Sequence, residues 1–297
     1  MKQNSLKAWL LAARPKTLTG CAVPVMIGLA WAWADDRALY DGLAFRWVPA
    51  VLCLLFAFVM QINANLVNDF FDYVRGTDDQ STRLGPERAC ASGWVTLDAM
   101  KRAIAATTVA ACLVGLPLAW YGGLELVLVG VLCVVCCFLY TTLLSYHGMG
   151  DLLVLLFFGV VPVCCTYYIQ LHTVTWQVAL SSLACGLVVD ALLIVNNFRD
   201  RDTDREAGKN TLAVKIGPRW TLVAYEYVGI VACLTGLAYI ADHLLAVVLP
   251  LIYLALHLST WLRMIQIGHG RELNRCLGET ARNIFIYGLT FSLGLLL

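Results

Sequence analysis

The chain has 297 residues, 60% of them hydrophobic and only 14% charged, well beyond the roughly half-apolar mix of soluble domains. Such a chain belongs in a lipid bilayer. Its net charge of +1, with no Lys/Arg cluster free of neighbouring acids, excludes nucleic acid as a partner.

Nine apolar runs of roughly 18 to 25 residues are long enough to cross a hydrocarbon core as helices. They predict an all-α integral membrane protein with a single transmembrane domain over residues 1–297. In chain order the predicted spans are 8–34, 48–74, 100–119, 124–144, 151–171, 177–199, 219–239, 243–263 and 280–297. The first is interrupted by Arg14-Pro15-Lys16, which suits a broken helix entering at the interface as well as it suits a phosphate contact. Residues 18–31, followed by Ala32-Trp33-Ala34, imitate a signal peptide, but cleavage there would discard that Arg-Pro-Lys element.

Positive charge sets the orientation. With the N-terminus cytoplasmic, 19 of the 21 Lys and Arg residues lie inside and only Arg37 and Arg46 lie outside. The expectation is a multi-pass protein of the cell's inner (cytoplasmic) membrane, with its acid-rich segments on the cytoplasmic side. Two inner connections, about 75–99 and 200–218, are long and rich in Asp, Arg, Gly and Lys, and long loops of that composition usually carry function. They follow the second and sixth spans. The chain thus resembles two parallel four-helix halves plus a ninth helix.

Both of those spans end in an acidic motif. In the first, Asn65-Leu-Val-Asn68-Asp69-Phe-Phe-Asp72, helical spacing puts Asn65, Asp69 and Asp72 on one face. In the second, Asn196-Asn197-Phe-Arg199-Asp200-Arg201-Asp202-Thr-Asp204, the residues Asn196, Asp200 and Asp204 share a face. A lone acidic helix end is usually solvated, and that reading stands for Asp79 and Asp202. Four acids among apolar neighbours are different. An ionised Asp costs roughly 2.5 to 3.5 kcal/mol at mid-membrane, less near the interface, so the set asks for a cation. Oxygen donors without His or Cys favour a hard one, Mg²⁺. Nearby bases suit a phosphate ligand: Arg88 as a fork and Lys209 as a point charge, although each fits a loop salt bridge equally well.

Ten of the twelve Cys residues sit inside apolar spans, where small buried thiols account for them. Cys133-x-x-Cys136 has no His or second Cys pair beside it, so zinc is not expected.

Several segments together resemble the UbiA superfamily of membrane prenyltransferases, and within it most the 1,4-dihydroxy-2-naphthoate prenyltransferases of menaquinone synthesis. They are the two acidic motifs, Arg83-Leu-Gly-Pro-Glu-Arg88 with Ser92-Gly93, and Gly208-Lys209-x-Thr211-Leu212. Ala13-Arg14-Pro15-Lys16-Thr17-Leu18, Tyr140-Thr-Thr, Tyr146-His-Gly-Met-Gly-Asp151 and Phe157-Phe158-Gly159 add to the likeness, which covers nearly the whole chain. It implies nine transmembrane helices around a central cavity capped by the two acidic loops, with Mg²⁺ bridging Asp residues and a polyprenyl diphosphate. Asn65, Asp69, Asp72, Asp200 and Asp204 are then the metal set, the four Asp residues also serving catalysis. Asn68, Arg88, Asn196, Asn197, Lys209, Arg14, Lys16, Tyr140 and Tyr146 join Asn65 in holding the diphosphate and the prenyl group. The implied reaction attaches a prenyl group to 1,4-dihydroxy-2-naphthoate with loss of its carboxylate, giving demethylmenaquinone. Where the wider superfamily carries another Asp, four residues after Asp72, this chain has Gly76 and then Asp78, a departure the naphthoate branch shares.

Asp69, Asp72 and Asp200 all suit the role of base toward an acceptor hydroxyl. Asp190 in mid-span is a functional candidate by its position or else a hydrogen-bonded structural group, and Asp151 follows the fourth span. Two rival readings remain: a relative with another aromatic acceptor, and a secondary transporter or ion channel with Asp-lined ion paths. Arg and Lys interleaved among the acids speak against a cation path.

Overall fold

The computed structural model describes residues 1–40, 42, 44–76 and 83–297; Asp78 and Asp79 of the first loop lie outside them. The described residues are built from helices, with no strand among them. Helix α1 (Leu6–Ala13) starts at Ser5, whose hydroxyl accepts the Ala8 N–H. It stops because Arg14 takes a left-handed conformation, with φ of 50°, ahead of Pro15, which cannot continue a helix. One tight turn, Pro15–Thr17, leads into α2 (Leu18–Tyr40), so the interruption expected at Arg14-Pro15-Lys16 is present.

The chain continues through α3 (Trp47–Val74), α4 (Leu97–Gly115), the short α5 (Leu118–Gly122) and α6 (Glu125–Thr142). Then α7 (Gly150–Leu155) widens into a π-turn at Leu156–Val160 before α8 (Val161–Leu171). Next come α9 (Trp176–Glu206), α10 (Leu212–Thr235), α11 (Leu244–Val248), α12 (Leu251–Ile267) and α13 (Leu273–Leu296). Thr96, Thr175 and Thr211 cap α4, α9 and α10 through their hydroxyls.

One boundary departs from expectation. The segment 200–218, read from sequence as a loop, is helical to Glu206 and again from Leu212. Alternating Arg and Asp sustain those last turns, with Arg205 3.6 Å from Asp202 one turn away, until Gly208 ends them at φ of +70°. Asp200 and Asp204 are therefore held on a rigid helix end. In the other long connection, residues 83–96 form turns and bends and no helix, as expected.

Among the described residues, eight helical stretches are long and apolar enough to cross a membrane. Helix α13, also 24 residues long, is outside that set because its first half carries Arg275, Glu279 and Arg282. Helix α9, with most of its residues between Val178 and Arg199 buried or half-buried, packs against α2, α8, α10 and α13. The π-turn packs on it because two glycines meet: a Cβ on Gly159 would fall 2.5 Å from the Ser182 carbonyl, and one on Gly186 would fall 2.8 Å from that of Leu155. Close backbone approach of this kind is how helices associate in lipid, where apolar area alone gives little drive. Leu113 on α4 and Leu128 and Leu132 on α6 point outward, as a lipid-facing wall requires.

Candidate active site

A cavity of about 1100 Å³ runs down the inside of the bundle. Along α3 its wall is formed by Cys53, Phe56, Ala57, Met60, Gln61, Ala64, Asn65 and Asn68, recurring at three- and four-residue steps. Fifteen residues separate Cys53 from Asn68, so the cavity extends about 22 Å along that helix. One end is polar, with Arg14, Lys16, Arg83, Arg88 and Asn196. The far end is lined by Leu118, Leu126 and Ile169, and Tyr140, Phe157 and Phe158 line the middle.

The two acidic motifs meet at the polar end. Asp72 Oδ2 lies 3.6 Å from Arg88 Nη2, and its Oδ1 lies 3.7 Å from Lys209 Nζ. The Arg14 and Arg83 charges also face it. Asp204, one helical turn beyond Asp200, faces Lys209, Asp200 and Asp72. Cations thus outnumber the carboxylates they surround, which suits an anionic ligand.

The other motif residues build the frame. Asp69, 1% exposed, accepts the backbone N–H of Cys90 on Oδ1 and that of Ala89 on Oδ2, both at 2.9 Å, and so pins the loop that carries Arg88. Asn65 donates to the Ala13 carbonyl and to Thr17 Oγ1, both at 2.9 Å, fixing the break that presents Arg14 and Lys16. Arg199, 2% exposed, forks onto Asp200 at 2.7 and 2.5 Å and also donates to Asn196 Oδ1 and Asn274 Oδ1. The loop rides directly on that guanidinium, since a Cβ on Gly85 would fall 2.7 Å from Arg199 Nη2.

Tyr146 is displaced from its expected place. Its ring is absent from the cavity wall and instead carries two cations, Arg75 at 5.1 Å and Lys209 at 5.4 Å from the ring centroid. Asn197, Lys209, Asp69, Asp72, Asp200 and Asp204 also stand outside the cavity lining, whereas Asn65, Asn68, Arg88, Asn196, Arg14, Lys16 and Tyr140 are in it.

Sequence reasoning missed Asn274 and Arg271, which donate to the carbonyls of Leu84 and Arg83 and tie α13 to the loop. No spacing rule links residues almost 190 positions apart. It also read the cysteines as packing, yet Cys21, Cys53, Cys112, Cys133, Cys136, Cys137 and Cys165 line the cavity. Among the described residues no three acidic, His or Cys side chains converge closely enough to hold an ion alone. Facing carboxylates on two helix ends, with oxygen donors only, nevertheless fit Mg²⁺, which keeps few protein ligands and completes its shell with phosphate oxygens and water.

The family model of the UbiA prenyltransferase family matches residues 21–289. The chain is 39% identical to an Escherichia coli (strain K12) 1,4-dihydroxy-2-naphthoate octaprenyltransferase over 220 residues, covering 71% of this chain and 69% of that protein. It is 32% identical to a Haemophilus influenzae protein of the same name, covering 100% of this chain and 98% of the relative. The fold is similar to that of a UbiA homolog from Archaeoglobus fulgidus bound to GPP and Mg²⁺, with a TM-score of 0.66 at 14% identity, covering 96% of this chain and 99% of that one.

Proposed function

From the premise that the chain belongs to the UbiA prenyltransferase family, we propose that it transfers a polyprenyl group from an allylic diphosphate to 1,4-dihydroxy-2-naphthoate, releasing the carboxylate as CO₂ and giving the quinol, the reduced form of demethylmenaquinone. The names of the relatives support the acceptor. The observation that carries the chemistry is Asp72 standing between Arg88 and Lys209 at the mouth of a long apolar cavity. A diphosphate belongs at that mouth and its prenyl chain below it. The transporter reading gives way to family membership.

Mg²⁺ bound between the Asp72 and Asp204 sides would neutralise charge on the diphosphate and make it a better leaving group. The chain's own groups do the rest. Arg88, Lys209 and Arg14 bind the phosphate oxygens and offset the negative charge that builds as the C–O bond breaks. The cavity walls exclude water from the allylic cation, whose positive charge is stabilised by the π faces of Tyr140, Phe157 and Phe158. The electron-rich acceptor ring then attacks the prenyl carbon, and loss of CO₂ restores aromaticity. We place the site at the cytoplasmic face of the inner membrane, with the N-terminus on that side and α13 as a ninth crossing, because the basic residues concentrate there.

The test is transfer from labelled geranyl diphosphate to 1,4-dihydroxy-2-naphthoate by detergent-purified protein, with and without Mg²⁺. A Mg²⁺-dependent lipid product supports the reading. Product formed only with 4-hydroxybenzoate or homogentisate would keep the chemistry and overturn the acceptor.

A further inference from the structure

Asp190 lies on helix α9, six residues before Asn196 and so about 9 Å deeper in the bundle. It is 6% exposed, and its Oδ1 has no hydrogen-bond partner in the described structure. That removes the structural reading of this residue as a hydrogen-bonded strut. A second carboxyl, Asp151 on α7, also has an oxygen, Oδ1, that is buried without a partner, and it faces Asp190. Both lie within electrostatic reach of the phenol of Tyr140, which lines the cavity, with no hydrogen bond joining them to it. The Tyr140 hydroxyl lies beside α7, in ordinary contact distance at 3.7 Å from where a Cβ on Gly150 would stand. Behind the pair, Lys215 faces Asp151 and donates to the His147 carbonyl at 2.9 Å, supplying one positive charge toward the loop.

Buried carboxyl oxygens without partners are costly in a membrane interior, and groups kept at such a cost are usually functional. The cap acids are otherwise engaged: Asp69 holds two backbone N–H groups, Asp200 is forked by Arg199, and Asp72 is flanked by Arg88 and Lys209. Among the acids of the described residues, Asp190 and Asp151 are the ones with a buried oxygen that has no partner, and Tyr140 stands at the cavity wall near them.

We propose that Tyr140, Asp190 and Asp151 form a proton-accepting station for a ring hydroxyl of the aromatic acceptor, an inference that rests on the prenyl transfer argued above. The acceptor hydroxyl donates to Tyr140 Oη. Acceptor binding draws the Tyr140 hydroxyl into hydrogen-bond reach of Asp190, and as the acceptor O–H bond breaks and a new one forms on Oη, the Tyr140 proton passes to the Asp190 carboxylate. One negative charge thus moves from the carboxyl pair to the aryl oxygen, where it raises the nucleophilicity of the ring. After C–C bond formation and CO₂ loss the proton returns to the product oxygen. Tyr140 is the catalytic residue here, and Asp190 and Asp151 are positioning residues that act through it.

The experiment compares wild type, Tyr140→Phe, Asp190→Asn and Asp151→Asn, using 1,4-dihydroxy-2-naphthoate and a ring-fluorinated analogue with a more acidic hydroxyl. Binding of labelled geranyl diphosphate with Mg²⁺ and thermal midpoints in detergent are measured alongside. Tyr140→Phe and Asp190→Asn are expected to lower kcat about 100-fold, the usual scale for removing a proton-transfer group, and Asp151→Asn about 10-fold. Diphosphate binding should stay within about threefold and thermal midpoints should hold, since the orphaned Asp190 and Asp151 oxygens have no hydrogen bond to lose. The fluorinated acceptor should recover at least about tenfold of the lost rate, because it needs less help to ionise. Variants with unimpaired kcat in an active background overturn the station alone. So does a loss of kcat accompanied by loss of stability or diphosphate binding, which would mean a packing role. A wild type that prenylates none of the acceptors overturns both this inference and the function beneath it.

Discussion

Asp72 Oδ1 and Lys209 Nζ stand 3.7 Å apart, joining the end of α3 to the turn after α9 and so closing the two acidic motifs around one point. Lys209 also rests over the Tyr146 ring, which fixes its direction. Replacing it with Ala should raise the KM for the allylic diphosphate about tenfold, or about 1.4 kcal/mol of binding. Asp72→Asn should instead cut kcat by at least about 100-fold, since the charge lost faces the leaving group. Steady-state kinetics at varied diphosphate and Mg²⁺ would separate the two. Equal effects on kcat from both changes would mean that the pair serves structure alone.

Asp69 presents a different outcome from its neighbour in the same motif. Both of its oxygens accept loop N–H groups, charge-assisted bonds worth roughly 1.5 to 3 kcal/mol each in a buried setting. Asp69→Ala should therefore release the loop carrying Arg88, lower the thermal midpoint and speed tryptic cleavage at Arg83 and Arg88. Cleavage at the wild-type rate would show that the loop is held by other contacts.

Much of this was legible in the sequence because it is local. Apolar length marks the helices, and i, i+4 spacing marks the acidic faces. The break at Arg14-Pro15-Lys16 is written in a proline that removes a donor. What stayed hidden depends on distant partners. That Asp69 clamps a loop, that Arg199 occupies Asp200 and that Tyr146 serves as a cation platform all follow from contacts made only once the bundle closes. The end of α9 was misjudged for another reason: a run of charges reads as solvated loop, yet Arg and Asp at i, i+3 spacing also support a helix. The boundary was set by Gly208.

The contact between the π-turn and α9 leaves no space for a methyl group. Because the neighbours of a Cβ on Gly159 are backbone atoms of Ser182 and Gly186, they cannot move aside as a side chain would. Gly159→Ala should cost about 1 to 3 kcal/mol and shift Phe157 and Phe158 in the cavity wall. The check is the thermal midpoint together with product yield. A variant as stable as wild type would mean that the helices separate at little cost.

Ala57 lies on the α3 wall of the cavity about 6 Å from Cys53 at the far end and about 16 Å from Asn68 at the polar one. The cavity is a tube of about 1100 Å³, so a large side chain at that level divides it while leaving the cap untouched. Ala57→Trp should spare short donors, whose chains end above the block, and penalise long ones, whose chains must pass it. Each methylene denied its apolar contact costs about 0.8 kcal/mol, so several lost together amount to more than 100-fold in kcat/KM. Competition between dimethylallyl or geranyl diphosphate and a long-chain polyprenyl diphosphate gives the ratio directly. A strong shift toward the short donor in Ala57→Trp, with the absolute rate on that donor kept within about threefold, would identify this cavity as the prenyl-chain channel. An equal loss on every donor would mean that Trp disturbs the cap, and an unchanged ratio would mean that the chain leaves the site by another path.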